Sequence, residues 1–260
     1  MSAEPDFDRI AGPYRWLEYL TLGTALQNAR THFLPRLFDR RHALVLGDGD
    51  GRFLATLFRR NFHIRADAVD TSATMLRLLH QRCEAAVQDT GMRLRTHRHN
   101  ALEHAPAADT DLIVAHFFFD CLRQPELDIL IHRLAKDIQP EALWLVSDFR
   151  IPTGLMRLPA ALMIRSLYLA FRLLTGLRTT RLPNYETPLQ RAGLRRTHQH
   201  YNLFGLLTTE LWTRPTRAKR LAPITANDID QDPDGTVSKS VSSILISVKP
   251  LPSASSTSET

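Results

Sequence analysis

The sequence predicts an α/β fold with an open, mostly parallel sheet, and three observations carry that prediction. The first is the stretch Ala43-Leu44-Val45-Leu46-Gly47-Asp48-Gly49-Asp50-Gly51-Arg52-Phe53-Leu54, where an apolar run meets three alternate glycines and a helical pattern follows. Such an unbroken run suits a parallel strand buried on both faces. The glycines let the backbone turn sharply and approach a ligand, because no Cβ stands in the way. The second is a strand-like run at residues 64–69 that ends in Asp70, nineteen residues after Gly51. A carboxylate at that point of a βαβ unit accepts hydrogen bonds from both hydroxyls of a ribose. The third is repetition: apolar runs at 94–97, 111–116 and 142–146 alternate with helical patterns at 54–62, 75–89 and 124–137. Alternation of this kind builds a parallel sheet. Together they point to a nucleoside-containing cofactor.

The glycine spacing narrows the choice. Dinucleotide folds use G-x-G-x-x-G around a pyrophosphate. Here the spacing is G-x-G-x-G, and Arg52 stands where the third glycine of that pattern would fall. With Val69-Asp70-Thr71-Ser72-Ala73-Thr74-Met75-Leu76 downstream, the chain resembles the class I S-adenosylmethionine-dependent methyltransferases over about residues 7–214. Within that family it is similar to small-molecule enzymes of bacteria, distantly related to quinone-biosynthesis C-methyltransferases. The resemblance implies a Rossmann-like sheet of seven strands with an antiparallel last strand, a helical N-terminal cap and a helical lid between strands five and six. It implies S-adenosylmethionine as cofactor, with Gly47, Asp48, Gly49 and Gly51 along its methionine part and Asp70 on the ribose. Thr71 and Met75 complete that side; Asn100 and Ala101 meet the adenine, and His116 faces the methyl group. One position departs from the family pattern: Val45 occupies the place of an acid that helps order the methionine end.

The remaining elements follow in order. Residues 7–38 read as helical, aromatic-rich before residue 20, and the resemblance makes Tyr14 a candidate near the reacting centre. Residues 155–177 form a long apolar segment broken by Pro159 and crossed by Arg157, Arg165 and Arg172, too interrupted to span a bilayer. Such a helix roofs an apolar pocket or lies on a membrane surface; the lid is the expectation, with peripheral membrane contact through 155–177 as the other possibility. A short helix ends near Arg191, and residues 195–203 and 206–214 read as an antiparallel pair turning at Gly205. The expected domains are a cap at 1–40, a methyltransferase domain at 41–216 with its lid at about 151–192, and a disordered tail at 217–260.

Charge and cysteine usage bound the setting. The net charge of +6 is concentrated in residues 151–220, which hold twelve Arg or Lys against Glu186 and Glu210. That segment suits an anionic partner or a solvated face. The N-terminus is polar and acidic, and the two cysteines, Cys83 and Cys121, fit a reducing interior, so the expected location is cytoplasmic.

Methyl transfer needs an aligned nucleophile and, for an alcohol, thiol or ammonium, a base. Candidate bases are His116, Asp120 and Asp148 at strand ends, with His198 and His200 on the sixth strand. Phe149 stands where metal-dependent catechol-type enzymes have an Asn after their second acid, so no metal is expected. No N-P-P-Y or D-P-P-Y follows the fourth strand, which argues against a nucleobase substrate and a nucleic-acid partner. The aromatic run Phe117-Phe118-Phe119 favours a small, partly hydrophobic organic acceptor. Two alternatives stay open: a non-catalytic cofactor-binding subunit, and methylation of RNA or protein through the basic segment.

Overall fold

The computed structural model describes residues 24–154, 157–175 and 182–215. Tyr14, the aromatic stretch before residue 24 and the segment 217–260 lie outside the described residues. Within them the chain alternates as expected. Helix α1 (Thr24–Thr31) precedes β1 (His42–Leu46), α2 (Arg52–Arg60), β2 (Arg65–Asp70), α3 (Ala73–Ala86), the single turn α4 (Thr90–Arg93) and β3 (Leu94–Arg98). Then come β4 (Leu112–His116), α5 (Gln124–Asp137), β5 (Leu143–Phe149), α6 (Arg157–Thr175), α7 (Glu186–Arg191), β6 (Arg195–Asn202) and β7 (Leu207–Thr213).

The seven strands form one sheet in the order β3-β2-β1-β4-β5-β7-β6. The pairs among β1 to β5 are parallel, and β7 runs antiparallel to both β5 and β6. Alternate residues of each central strand enter opposite layers. Val45, Val114 and Leu145 pack against Phe53, Leu57 and Leu79 on one face. Leu44, Leu46, Ile113 and Trp144 pack against Leu127, Ile131 and Leu189 on the other. Burial on both sides explains why β1 and β4 read as unbroken apolar runs.

Two local expectations are corrected. Pro159 does not break the long helix; it sits in the first turn of α6, where no intrahelical partner exists for an N–H anyway. Strand β5 runs on through Ser147, Asp148 and Phe149, because β7 pairs with it along that whole length. On α6, Ala160 and Ile164 are buried against Phe149 and Leu207. Leu158 and Leu162 are exposed with Arg157 and Arg165, while the Arg172 side chain lies outside the described residues. No helix among the described residues is long and apolar enough to cross a membrane.

A polar ladder crosses the sheet away from its carboxyl edge. The Asp67 carboxylate in β2 meets His42 Nε2 at 2.9 Å and His97 Nε2 at 2.8 Å, and His42 Nδ1 meets Asp109 at 2.8 Å. The hydrogen bonds from both imidazoles overcome burial and hold the Asp67 carboxyl down at about 2, while the Asp67 and Asp109 carboxylates raise His42. A raised histidine stabilises below its unfolded value of about 6.5, and that contribution is lost as pH rises through the folded value. A depressed carboxyl stabilises above about 4, and that contribution is lost as pH falls toward 2. Stability should therefore peak between about pH 4 and 6.5 on account of this ladder. Asp67→Asn is expected to cost about 2 kcal/mol near pH 6 and to flatten that maximum. Urea titrations of both proteins from pH 4 to 8 check it; parallel profiles would remove the ladder as its source.

Candidate active site

The strand ends on the carboxyl side carry the candidate residues, as the topology of an open α/β sheet requires. After β1, Gly47, Gly49 and Gly51 all have positive φ, at 61°, 60° and 79°. They differ in what surrounds them. A Cβ on Gly47 would strike the Phe118 ring at 2.5 Å, and one on Gly51 would strike the Leu79 backbone at 2.8 Å. One on Gly49 would meet nothing within 4 Å. Gly47 and Gly51 are thus packed by the protein, whereas Gly49 faces open space with its backbone bare.

Two acids of the loop hold it in shape. Asp48 accepts from the Leu54 amide at 3.0 Å, satisfying an N–H of the first turn of α2. Asp50 accepts from Arg52 at 3.2 Å and Arg82 at 2.8 Å, and Arg82 also donates to the Asp50 carbonyl at 2.8 Å. This clamp from α3 onto the glycine loop went unread in the sequence; its one signal is a basic residue three turns into the helix after β2.

At the end of β2 the half-buried Asp70 carboxylate accepts from the Ser72 amide at 2.9 Å. Ser72 in turn caps α3 by accepting from Met75 at 3.1 Å, so Thr71 and buried Met75 are fixed beside Asp70. After β3, Asn100 accepts from the Leu102 amide at 2.9 Å, and Ala101 is buried under α5, whose Arg133 donates to the carbonyls of Ala101 and Leu102. Glycine loop, Asp70 and Asn100 therefore line three adjacent strand ends.

The turn after β4 is strained. Phe117 has φ of 54°, an uncommon conformation for a bulky residue, and its amide donates to the Ser147 carbonyl at 2.7 Å. The turn sends Phe118 onto Gly47 and places Asp120 beside Asp148 at the end of β5. Both acids are buried. Burial lifts Asp120 to about 6 against the Cys121 thiol, whose Sγ lies 3.6 Å from its carboxylate. Burial and then the Asp120 charge push Asp148 well above the usual carboxylate range. Each acid therefore makes ionising the other harder, and the buried pair resists carrying two negative charges. Burial also keeps Cys121 a thiol.

His116 has a different environment. Its Nδ1 meets Ser147 Oγ at 2.9 Å, Ser147 donates to Thr209 at 3.1 Å, and Thr209 donates to the Ala29 carbonyl of α1 at 2.9 Å. A carbonyl only accepts, so each hydroxyl proton is committed and His116 donates through Nδ1. Its Nε2 is then a bare acceptor, buried and without a hydrogen-bond partner among the described residues. Burial, and then Arg30 of α1, hold the imidazole well below 6.5 and hence neutral. The ring lies edge-on to Phe53 of α2, 4.5 Å between centroids. His198 and His200 stand on the edge strand β6 against Phe33 and His32, with β5 and β7 between them and β4. No group of three or more His, Cys, Asp or Glu among the described residues is arranged to hold a metal ion.

No protein-family model matches the sequence, and no curated protein matches it. Solved structures do. The mitomycin 7-O-methyltransferase MmcR superposes with a TM-score of 0.60 at 16% identity, over 81% of this chain and 61% of its own. An O-methyltransferase family 2 protein from Planctomyces limnophilus, in complex with apigenin, gives 0.59 at 16%, over 79% and 62%. CalO1, a methyltransferase in calicheamicin biosynthesis in its SAH-bound form, gives 0.56 at 18%, over 78% and 56%. The chain thus spans about three fifths of the length of these proteins. Strand order, the antiparallel β7 and these superpositions agree: the architecture is the Rossmann-like fold of the class I S-adenosylmethionine-dependent methyltransferases.

Proposed function

We propose that this protein transfers a methyl group from S-adenosylmethionine to a small, partly hydrophobic organic acceptor. The observation that carries the reading is the open left-handed turn at Gly49, set beside the Asp70 carboxylate at the sheet's carboxyl edge. That space fits the cofactor: bare backbone for its methionine part, a carboxylate for its ribose, and Asn100 one strand further for its adenine. When bound, the sulfonium supplies an electrophilic methyl carbon.

The protein's own residues do the rest. The clamp of Arg82 and Asp50 keeps the loop in register with Asp70. Phe117 and Phe118 offer an aromatic wall to the acceptor. Asp120, ionised above about pH 6, accepts the proton of an acceptor hydroxyl, and the raised Asp148 beside it disfavours a second negative charge in the buried pair. His116 stays neutral and contributes an acceptor atom, not a charge. Structural neighbours that act on mitomycin or bind apigenin support an organic acceptor of this size class.

Asp70→Ala tests the cofactor site. Losing a charged acceptor for hydroxyl groups should weaken S-adenosylmethionine binding roughly ten- to a hundredfold. Unchanged affinity by calorimetry would remove Asp70 from the site. A panel of phenols, quinols, amines and thiols, assayed for S-adenosylhomocysteine release, tests the transfer itself. Tight cofactor binding with no release from any acceptor would favour a non-catalytic subunit.

A further inference from the structure

A cavity of about 460 Å³ lies on the α5 side of the sheet, over β5, β7 and β6 and beneath residues 182–186. Its volume is that of a small-molecule site. It adjoins the acid pair: Asp148 and Thr208, which lines the cavity, are register partners, and buried Tyr185 in its wall packs against Phe119 with ring centroids 5.9 Å apart. The charges within it are unevenly matched. Glu210, 1% exposed, accepts from Arg196 at 3.1 Å, Gln199 at 2.6 Å, Thr208 at 3.1 Å and Trp212 at 2.9 Å. Arg196 also binds Glu186 at 2.8 Å, so one guanidinium answers two carboxylates.

Arg150 differs. Its guanidinium lies 4.3 Å from the centroid of the Tyr201 ring and has neither an ion pair nor a side-chain hydrogen bond among the described residues. Stacking leaves the donor edge of a guanidinium free, because the ring occupies only its face. A half-buried cation with an unused planar fork, in a cavity whose other charges are committed, is built to take a planar anion. Two carboxylates close by make a monoanion preferable to a phosphate dianion.

Resting on the methyl-transfer reading, we propose that the acceptor carries a carboxylate, and that Arg150 binds it bidentately in this cavity while the group to be methylated points to Asp120. The substrate class is thus an aromatic or alicyclic hydroxy acid. Arg150 is the specificity-determining residue, and the Glu186 and Glu210 carboxylates keep Arg196 from competing for the anion.

The test uses 4-hydroxybenzoate, 3,4-dihydroxybenzoate and the matched neutral phenols, with the full chain. Calorimetry should show the hydroxybenzoates binding to wild type at least tenfold more tightly than the phenols, with Arg150→Gln abolishing that preference. Arg150→Lys should recover only part of it, because it keeps the charge and loses the fork. Glu186→Gln, which leaves Arg196 one carboxylate short, should raise hydroxybenzoate affinity severalfold, a gain that misfolding cannot mimic. In turnover, Arg150→Gln should raise KM for the acids and leave kcat nearly unchanged. Equal binding of acids and phenols, or a preference that survives Arg150→Gln, would overturn the anion site while methyl release from the phenols left the transfer reading intact. Arg150-dependent binding with no S-adenosylhomocysteine release would support the anion site and overturn the transfer reading.

Discussion

Gly49→Ala and Gly51→Ala should fail in opposite ways. At Gly51 the new methyl meets the Leu79 backbone at 2.8 Å, and φ is 79°. Backbone has little room to give, so α3 must shift away from the loop. The left-handed conformation adds about 1–2 kcal/mol and overpacking about 1–3 kcal/mol. A total near 3 kcal/mol corresponds to a Tm lower by about 10 °C for a chain of this size. Gly49 carries the same backbone penalty but no collision, since nothing lies within 4 Å of the added carbon. Gly49→Ala should therefore keep most of its stability while losing about a hundredfold in S-adenosylmethionine affinity, because its methyl occupies ligand space. Scanning calorimetry and titration calorimetry on both variants separate the cases. Intact cofactor affinity in Gly49→Ala would move the ligand off this loop.

Asp120→Asn is the second large effect. The carboxylate titrates at about 6 in its buried place, so wild-type kcat/KM for a hydroxyl acceptor should rise with pH and level off above about 7. The amide cannot take a proton, and turnover should fall by about a hundred- to a thousandfold, the usual worth of a positioned base. Cofactor affinity should change little, and the acid limb should vanish. His116 is not the expected source of that limb, because burial and then Arg30 hold its imidazole well below the usual 6.5. An acid limb that survived in Asp120→Asn would transfer the role to Asp148.

The strands and the glycine loop were legible because their signals are local. Four apolar residues before Gly47 mean burial on both faces, and Gly49, Asp70 and Asn100 then reach adjacent strand ends by topology alone. What escaped depends on partners far apart in the chain. Ser147 and Asp148 look like a loop until β7 arrives sixty residues later to pair with them. The same holds for the Glu210 network, assembled from three elements, and for the ladder of His42, Asp67 and His97 across three strands. Neutral, buried His116 was equally unreadable, since its tautomer is set by hydroxyls on two other strands. Pro159 misled for another reason: its effect depends on its place in the helix, which the sequence left ambiguous.

The insertion of β7 between β5 and β6 has a consequence for the order of assembly. Among the described residues β6 pairs with the sheet only through β7, so it has no partner strand while the chain is being made up to residue 206. Until then β5 is a bare edge, with Trp144, Val146 and Asp148 offering unpaired backbone to any passing strand. A ribosome-bound chain therefore carries this open edge until β7 emerges. The same strand brings Thr209, whose hydroxyl ties α1 to the sheet. One late, antiparallel insertion thus closes the edge, seats the first described helix and completes the site in a single step.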